Sequence, residues 1–495
     1  MSHYPQNVLP SVDSSEHVPV QAEPSGGSDG TQDINLSVDV FPDAIHLVVA
    51  PVPNTAHNNL LYENALDTLN ELRTLDTIQI DLTRLDIDAP DVSFNDHHEA
   101  SNFLVHVDGL LSSQPADALV AFEMKLPVRV QLPHIFTESF FQGNIPPCLK
   151  RLDLYGCRLP LDSPILRATT LTSLSLDGPS DIFNSVDDVI EVLRGLPNLT
   201  TLRLGLDHLD PPASNDVQTV ALPFAQAVYI GSTASVVAFL LDRLLIPMSA
   251  DLTINCNFNA EFGLLSMEMV KLGSVLRARY ADHRQKFPYL IIDMEYNVQN
   301  MGAPAIGINI VLDIERNSDY GALSVGILWE RECWKPETLI AILPCLPIAG
   351  IDFLALTNVP FISTENWAYL FKNILPCSIE TIRVEGPSAL CGLTLALQLG
   401  QLFYLQTVLI DSVNFLAVDD SDRFRGMDLL ERFVEALQWR KSRRIWSVDE
   451  VQLSSCAWHV QMVEKIESEI AGHCSWITDD GLWRTLTSSD AGATA

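Results

Sequence analysis

Between Leu149 and Leu159 the chain places apolar residues at Leu149, Leu152, Leu154, Cys157 and Leu159, with Lys150, Arg151, Asp153 and Tyr155 among them. Leu152 and Leu154 flank a single residue, so a period of two predicts a short strand with both leucines on one face and Asp153 on the other. The scheme returns at Leu171, Leu174 and Leu176, 22 residues on, and at Leu199, Leu202 and Leu204 after a further 28. Looser copies stand at Ala225, Val228 and Ile230, and at Leu252 and Ile254 followed by Cys256. Further copies are Ile351, Leu354 and Leu356; Ile379, Ile382 and Val384; Leu405, Val408 and Ile410; and Val448, Val451, Leu453 and Cys456. Upstream, Leu75, Ile78 and Ile80, then Leu119, Phe122 and Met124, read as earlier and longer copies. Roughly ten or more units are implied.

Between the strands the apolar period lengthens to that of a helix. Val189, Val192 and Leu193 share one helical face, as do Val236, Phe239, Leu240, Leu241 and Leu244. Trp367, Leu370, Phe371 and Ile374 make another, opened by Ser363 or Thr364 as N-cap, and Leu429, Leu430, Phe433, Val434 and Leu437 a fourth. These stripes read as core.

Taken together, the frame is the leucine-rich-repeat signature L-x-x-L-x-L-x-x-(N/C)-x-L. Such units bury their apolar faces only against one another. The predicted fold is therefore α/β: a leucine-rich-repeat solenoid, with a curved parallel sheet and helices on its convex side. At the Asn/Cys place, Cys157 and Cys456 are expected to meet backbone groups left unpaired where the chain turns off the strand, a structural role for buried thiols. One stretch breaks the scheme. Ile306, Ile308, Ile310, Leu312 and Ile314 alternate, and Leu323, Val325, Ile327 and Trp329 alternate again across Asn317 to Gly321, which predicts a β-hairpin near 304–330 that interrupts or decorates the solenoid.

This divides the chain into a disordered polar tail at 1–33, irregular N-terminal repeats at 34–140, the solenoid at 141–480 and a C-terminal tail at 481–495. Ordered structure is expected from about Val38, with helices near Leu60 to Leu72 and Glu99 to Leu111. Cys474 to Ile477, after a helix from Ala457 to Ile470, reads as a closing strand.

Composition adds compartment and charge. With 47% hydrophobic and 19% charged residues the chain is that of a folded domain. Nine cysteines without a C-x-x-C pair argue against zinc sites and a disulfide framework. No secretory signal is visible, and apolar stretches such as Val236 to Pro247 are too short to span a bilayer, so an intracellular setting, cytoplasmic or nuclear, is expected. The sequons at Asn35 and Asn198 are then incidental. Thirty basic against 63 acidic residues give a formal charge of −33, which disfavours nucleic acid and anionic membrane as partners. The basic cluster Arg440, Lys441, Arg443 and Arg444 closes a helix, where cations suit its carbonyl end.

Motifs for catalysis do not assemble. Gly26 to Gly30 spells G-x-S-x-G, but in a polar tail without the strand and helix a nucleophile elbow requires. Asp96, His97 and His98 lack metal-ligand spacing, the acidic loop at Asp419, Asp420 and Asp422 lacks the calcium-loop pattern, and His459 and His473 have no nucleophile beside them. The expectation is a protein that is no enzyme and uses no cofactor or metal.

The run PPCLKRLDLYGCRLPLDSPILRATTLTSLSLDGPS from Pro146 to Ser180 resembles the repeat region of basidiomycete F-box and leucine-rich-repeat proteins. Similar to that family too are VDDVIEVLRGLPNLTTLRL, the ALPFAQAVYIGSTASVVAFLLDRLLIP block, LERFVEALQWR with VDEVQLSSC, and CSWITDDG. The resemblance implies a protein-protein interaction scaffold. It also implies an F-box that docks on a Skp-type adaptor, making the chain a substrate-recognition subunit of a cullin ubiquitin ligase. The F-box helix itself is not evident: Phe41 to Ile45 is at best its remnant. Recognition would fall to residues alternating with the core leucines: Asp153, Tyr155, Ser175, Arg203, Tyr229, Thr253, Arg383 and Gln452, with Tyr and Arg as the energetic anchors.

Overall fold

The computed structural model describes residues 36–41, 44–49, 75–81, 105, 107–126, 140–157, 159–177, 183–206, 209, 218–258, 262–281, 287–300, 303–313, 322–330, 337–359, 362–415, 426–443, 445, 447–457, 460–477 and 483–485. Outside them lie the polar segment 1–33, the predicted helix at 60–72, the G-x-S-x-G string, His97 and His98, the 317–321 connection, the acidic loop, Arg444 and His459.

The period-two segments are strands. The first seven are β1 (Leu36–Phe41), β2 (Ala44–Val49), β3 (Thr77–Asp81), β4 (Ala121–Lys125), β5 (Arg151–Tyr155), β6 (Ser173–Asp177) and β7 (Thr201–Gly205). Next come β8 (Val220–Ala221), β9 (Ala227–Ser232), β10 (Leu244–Leu245), β11 (Asp251–Phe258), β12 (Tyr289–Asn300), β13 (Ala303–Asp313) and β14 (Leu323–Glu330). The last six are β15 (Phe353–Thr357), β16 (Thr381–Glu385), β17 (Thr407–Asp411), β18 (Glu450–Ser454), β19 (His473–Ile477) and β20 (Trp483–Thr485). Among the described residues, eighteen form one sheet, and β8 and β10 pair separately. The architecture is α/β, repeating and solenoid-like, on a large and mostly parallel sheet.

Register follows the leucine frame. Leu152 on β5 faces Leu174 on β6, which faces Leu202 on β7, and the line continues to Val228 and Leu252. In the C-terminal half Leu354, Ile382, Val408 and Val451 align likewise, and Val451 faces Cys474. All of these side chains are buried. A one-residue slip would send each of them to the other face, so burial of the leucine face fixes the register. Where each strand begins, two successive N–H groups donate to one carbonyl of the preceding unit: Thr172 and Ser173 to Lys150 O, Thr200 and Thr201 to Thr172 O, Glu380 and Thr381 to Asp352 O.

Helices cover the leucine face and share its core. They are α1 (Val186–Arg194), α2 (Ala234–Arg243), α3 (Phe262–Ala281), α4 (Glu337–Ile342), α5 (Thr364–Asn373), α6 (Gly386–Gln398), α7 (Gly426–Ser442) and α8 (Val460–Glu467). Residues 107–113 are also helical, overlapping the span predicted at 99–111 and running two residues past it. Unit length decides what fits between strands. Among the described residues, the 22-residue step from Leu149 to Leu171 holds the 3-10 turn Pro164–Arg167 between its strands, while the 28-residue step to Leu199 holds α1. Ser185 caps α1 in a reciprocal box, accepting from Asp188 N while the Asp188 carboxylate accepts from Ser185 N. Ser363 caps α5 by accepting from Asn366 N.

At the Asn/Cys place the expected bonds are present. Cys157 Sγ donates to Met124 O at 3.5 Å and Tyr155 O at 3.4 Å, and Cys456 Sγ to Ile410 O at 3.5 Å and Ser454 O at 3.1 Å. Burial pushes both thiols up, Cys456 to about 11, so they stay protonated at neutral pH.

Three findings correct or extend the sequence reading. The predicted hairpin is present as β13 and β14 and breaks the parallel order, but it is part of a larger three-strand unit inside the sheet: β14 pairs parallel with β11, β13 is antiparallel to both β14 and β12, and β12 pairs parallel with β15. The meander β12–β13–β14 is thus built into the sheet in reversed order, with backbone pairing unbroken on both sides. The sheet does not close at β19 either, because β20, inside the segment read as a tail, adds to it antiparallel. Lastly, Arg440 does stand in the last turn of α7, but its guanidinium also reaches another segment of the chain. It is buried and donates to Leu402 O at 2.8 Å and Phe403 O at 2.9 Å, in the turn between α6 and β17. Lys441 donates to Ser468 O at 2.7 Å.

At the N-terminal edge β1 and β2 form an antiparallel hairpin, so Phe41, Ala44 and Ile45 are extended. The described residues contain no helix long and apolar enough to cross a membrane.

Candidate functional site: the polar face of the sheet

Residues alternating with the buried leucines share the opposite face of the sheet, away from the helices. One register row runs from Gln79 through Glu123, Asp153, Ser175, Arg203 and Tyr229 to Thr253, with Ser324 next to it. Five of the predicted residues, Asp153, Ser175, Arg203, Tyr229 and Thr253, therefore stand side by side. Tyr155 lies in the next row, facing Lys125 and Asp177. The same row continues from Ser324 through Val311, Ile291 and Ala355 to Arg383, Leu409 and Gln452, so Arg383 and Gln452 lie seven and nine strand positions from β7, beyond the meander. At about 4.8 Å per strand they are roughly 30 Å or more from Arg203.

Arg203 is the best-held side chain of the face. Its Nε and Nη2 both donate to Asp177 Oδ2, at 2.9 and 2.7 Å, and its Cζ lies 4.5 Å from the centre of the Tyr229 ring. Tyr229 Oη accepts from Asn255 Nδ2 at 2.8 Å. Burial pulls the Arg203 guanidinium down, but the Asp177 carboxylate more than offsets this and its pKa lies above the ordinary arginine value. A cation over an aromatic ring with its donors fixed is an arrangement common at recognition hot spots.

Glycines make the room for it. Gly205 and Gly231 face one another, Gly231 faces Asn255, and Asn255 faces Gly326. A Cβ at Gly205 would lie 2.0 Å from Asp177 Oδ1, and one at Gly326 would lie 1.9 Å from Asn255 Oδ1. The side chains of Asp177 and Asn255 thus lie across glycines of the next strand. Gly205→Ala is expected to displace Asp177 from Arg203 and to cost about 1–3 kcal/mol. Gly231→Ala, whose Cβ would meet Tyr229 Oη at 3.3 Å, should cost less. Urea denaturation of the two variants reads both, and equal midpoints would contradict the packing argument.

A second cluster surrounds Glu123. It accepts from Gln79 Nε2 at 3.1 Å and pairs with Lys125 at 2.5 Å and Arg151 at 3.3 Å; Arg151 lies 3.6 Å from Asp153. The Glu123 contact raises the Lys125 pKa, so the ammonium stays charged at neutral pH. In the C-terminal half Arg383 pairs with Asp411 at 2.7 Å, and Gln452 Nε2 donates to Glu450 Oε1 at 2.8 Å. His473 lies 3.3 Å from that same Glu450.

The sequence reading omitted Glu123, Asp177, Asn255, Asp411, Glu450 and the glycine row. The same alternation marks them, since Asp177, Gly205, Gly231 and Asn255 each directly follow the second apolar residue of a frame. Among the described residues no three His, Cys, Asp or Glu side chains are grouped to hold a metal ion. No family model matches the chain, and no curated protein matches it.

Proposed function

We propose that the chain is a leucine-rich-repeat protein that acts as a non-catalytic scaffold, binding a protein partner across the polar face of its sheet. The observation that carries this reading is the pre-set group of Arg203, Asp177, Tyr229 and Asn255. Its side chains are fixed before any partner arrives, which lowers the entropy cost of association. The helices of the opposite face are occupied with the core, so the polar face is the surface on which sequence can vary without loss of packing.

Affinity purification of the full chain from its native cells, alongside an Arg203→Ala and Tyr229→Ala double variant, tests the reading. A partner should be captured by the natural chain and weakened by about thirtyfold or more in the variant, with little change in thermal melting. Identical captured proteins with both chains would sink it. A Skp-type adaptor among them would extend the function to substrate recognition for a cullin ubiquitin ligase, as the family resemblance implies.

A further inference from the structure

In the ion pairs of the polar face the carboxylate is the inner partner and the cation the outer one. The Glu123 side chain keeps 12% of its exposure, against 34% for Lys125 and 55% for Arg151, and Asp177 keeps 20% against 51% for Arg203. What approaches this strip of the face therefore meets ammonium and guanidinium groups first, although the whole chain carries −33.

We propose that the strip from β4 to β7 is a docking site for an extended acidic peptide, whose carboxylates seat on Arg151 and Arg203 with Lys125 at the margin. This rests on the polar face being the recognition surface and adds the chemistry of the partner. A guanidinium has five N–H donors in a rigid fork, and Arg203 gives two N–H directions to Asp177; a half-exposed fork held in this way can take a second carboxylate. The inner carboxylates orient the cations and leave little charge for a basic partner to reach. Arg151 on β5 is in register with Thr201 on β7, so two strand steps and two residues along the strand place it about 12 Å from Arg203. A polyproline-type peptide returns a side chain to the same side every third residue, about 9 Å on, and the long arginine side chains span the remaining difference, so acidic residues at every third position can seat on both. Repulsion by the net charge acts at long range and is screened within about 8 Å at physiological salt, whereas the seated pairs are in contact.

The test uses the full chain at physiological salt and fluorescence anisotropy of labelled peptides made of Glu-Pro-Pro, Gln-Pro-Pro or Lys-Pro-Pro triplets. The Glu peptide is expected to bind, with the Gln and Lys peptides at least about tenfold weaker. Combining Arg203→Gln with Asp177→Asn keeps an amide pair in place of the ion pair and should weaken the Glu peptide by about tenfold without moving the thermal midpoint. Arg194→Gln, on α1 and away from the strip, should leave it unchanged. Equal binding of the Lys peptide, an unaffected paired variant, or tighter binding of a single-stranded thymidine oligomer would overturn the proposal. If the Glu peptide does not bind but capture of the cellular partner still depends on Arg203 and Tyr229, the acidic chemistry alone is wrong. If capture does not depend on them, the scaffold reading falls as well.

Discussion

Arg440→Ala is expected to destabilise the fold by about 3–5 kcal/mol, because it removes the guanidinium donors from a group of buried carbonyls and leaves Leu402 O only the backbone N–H of Leu405. The side chain is 1% exposed and its fork spans the turn after α6, from Leu402 O at 2.8 Å and Phe403 O at 2.9 Å to Leu405 O at 3.4 Å. That turn carries positive φ at Gly400 and Leu402, 69° and 59°, so its carbonyls point away from any regular ladder. Burial lowers the guanidinium to about 10, still well above neutrality, and it remains charged where the protein is measured. Arg440→Met keeps the apolar stem and removes a buried charge along with the bonds, and should cost less than alanine. Urea denaturation compares the two. An alanine variant within about 0.5 kcal/mol of the natural chain would show that the turn satisfies itself.

The contrast between Arg440 and the leucine frames shows what the sequence made legible. Positions such as Leu152, Leu174 and Leu202 repeat a local rule, and each strand has the same neighbour on either side. Reading one therefore placed all, including the parallel register and the face carrying Arg203 and Tyr229. Arg440 obeys no local rule: its partners lie 35 to 38 residues earlier in the chain, and a cation late in a helix has a sufficient local explanation. The meander was half legible for the same reason. Alternation at Ile306 to Leu312 and at Leu323 to Trp329 marks two strands, but strand order depends on α3 carrying the chain past two sheet positions before β12 begins. The pairing of Asp177 with Arg203 needed register as well as alternation. Gly205 and Gly231 gained meaning only once they were seen to share a row.

Trp367→Ala is the second substitution with a large expected effect, about 3–5 kcal/mol, and it tests how α5 seats on α6. Trp367 is 2% exposed, stacks on Phe371 with centroids 5.7 Å apart, and presses its indole against Gly392. A Cβ at Gly392 would lie 2.5 Å from the indole Cδ2 and Cε2. Gly392→Ala should therefore cost about 1–3 kcal/mol, against the roughly 1 kcal/mol gain that alanine brings to a helix interior. The indole Nε1 is buried without a hydrogen-bond partner among the described residues. Trp367→Phe thus gives up a donor that contributes nothing, and its cost should fall well below that of alanine. If indole and glycine are shaped to one another, the paired change Trp367→Ala with Gly392→Leu refills the space, and its cost falls short of the sum of the two single changes. Denaturant titrations of the four proteins give that coupling directly. A coupling near zero would mean that α5 and α6 relax independently, so that the packing between successive units is looser than a close-packed core and the sheet alone holds the stack together.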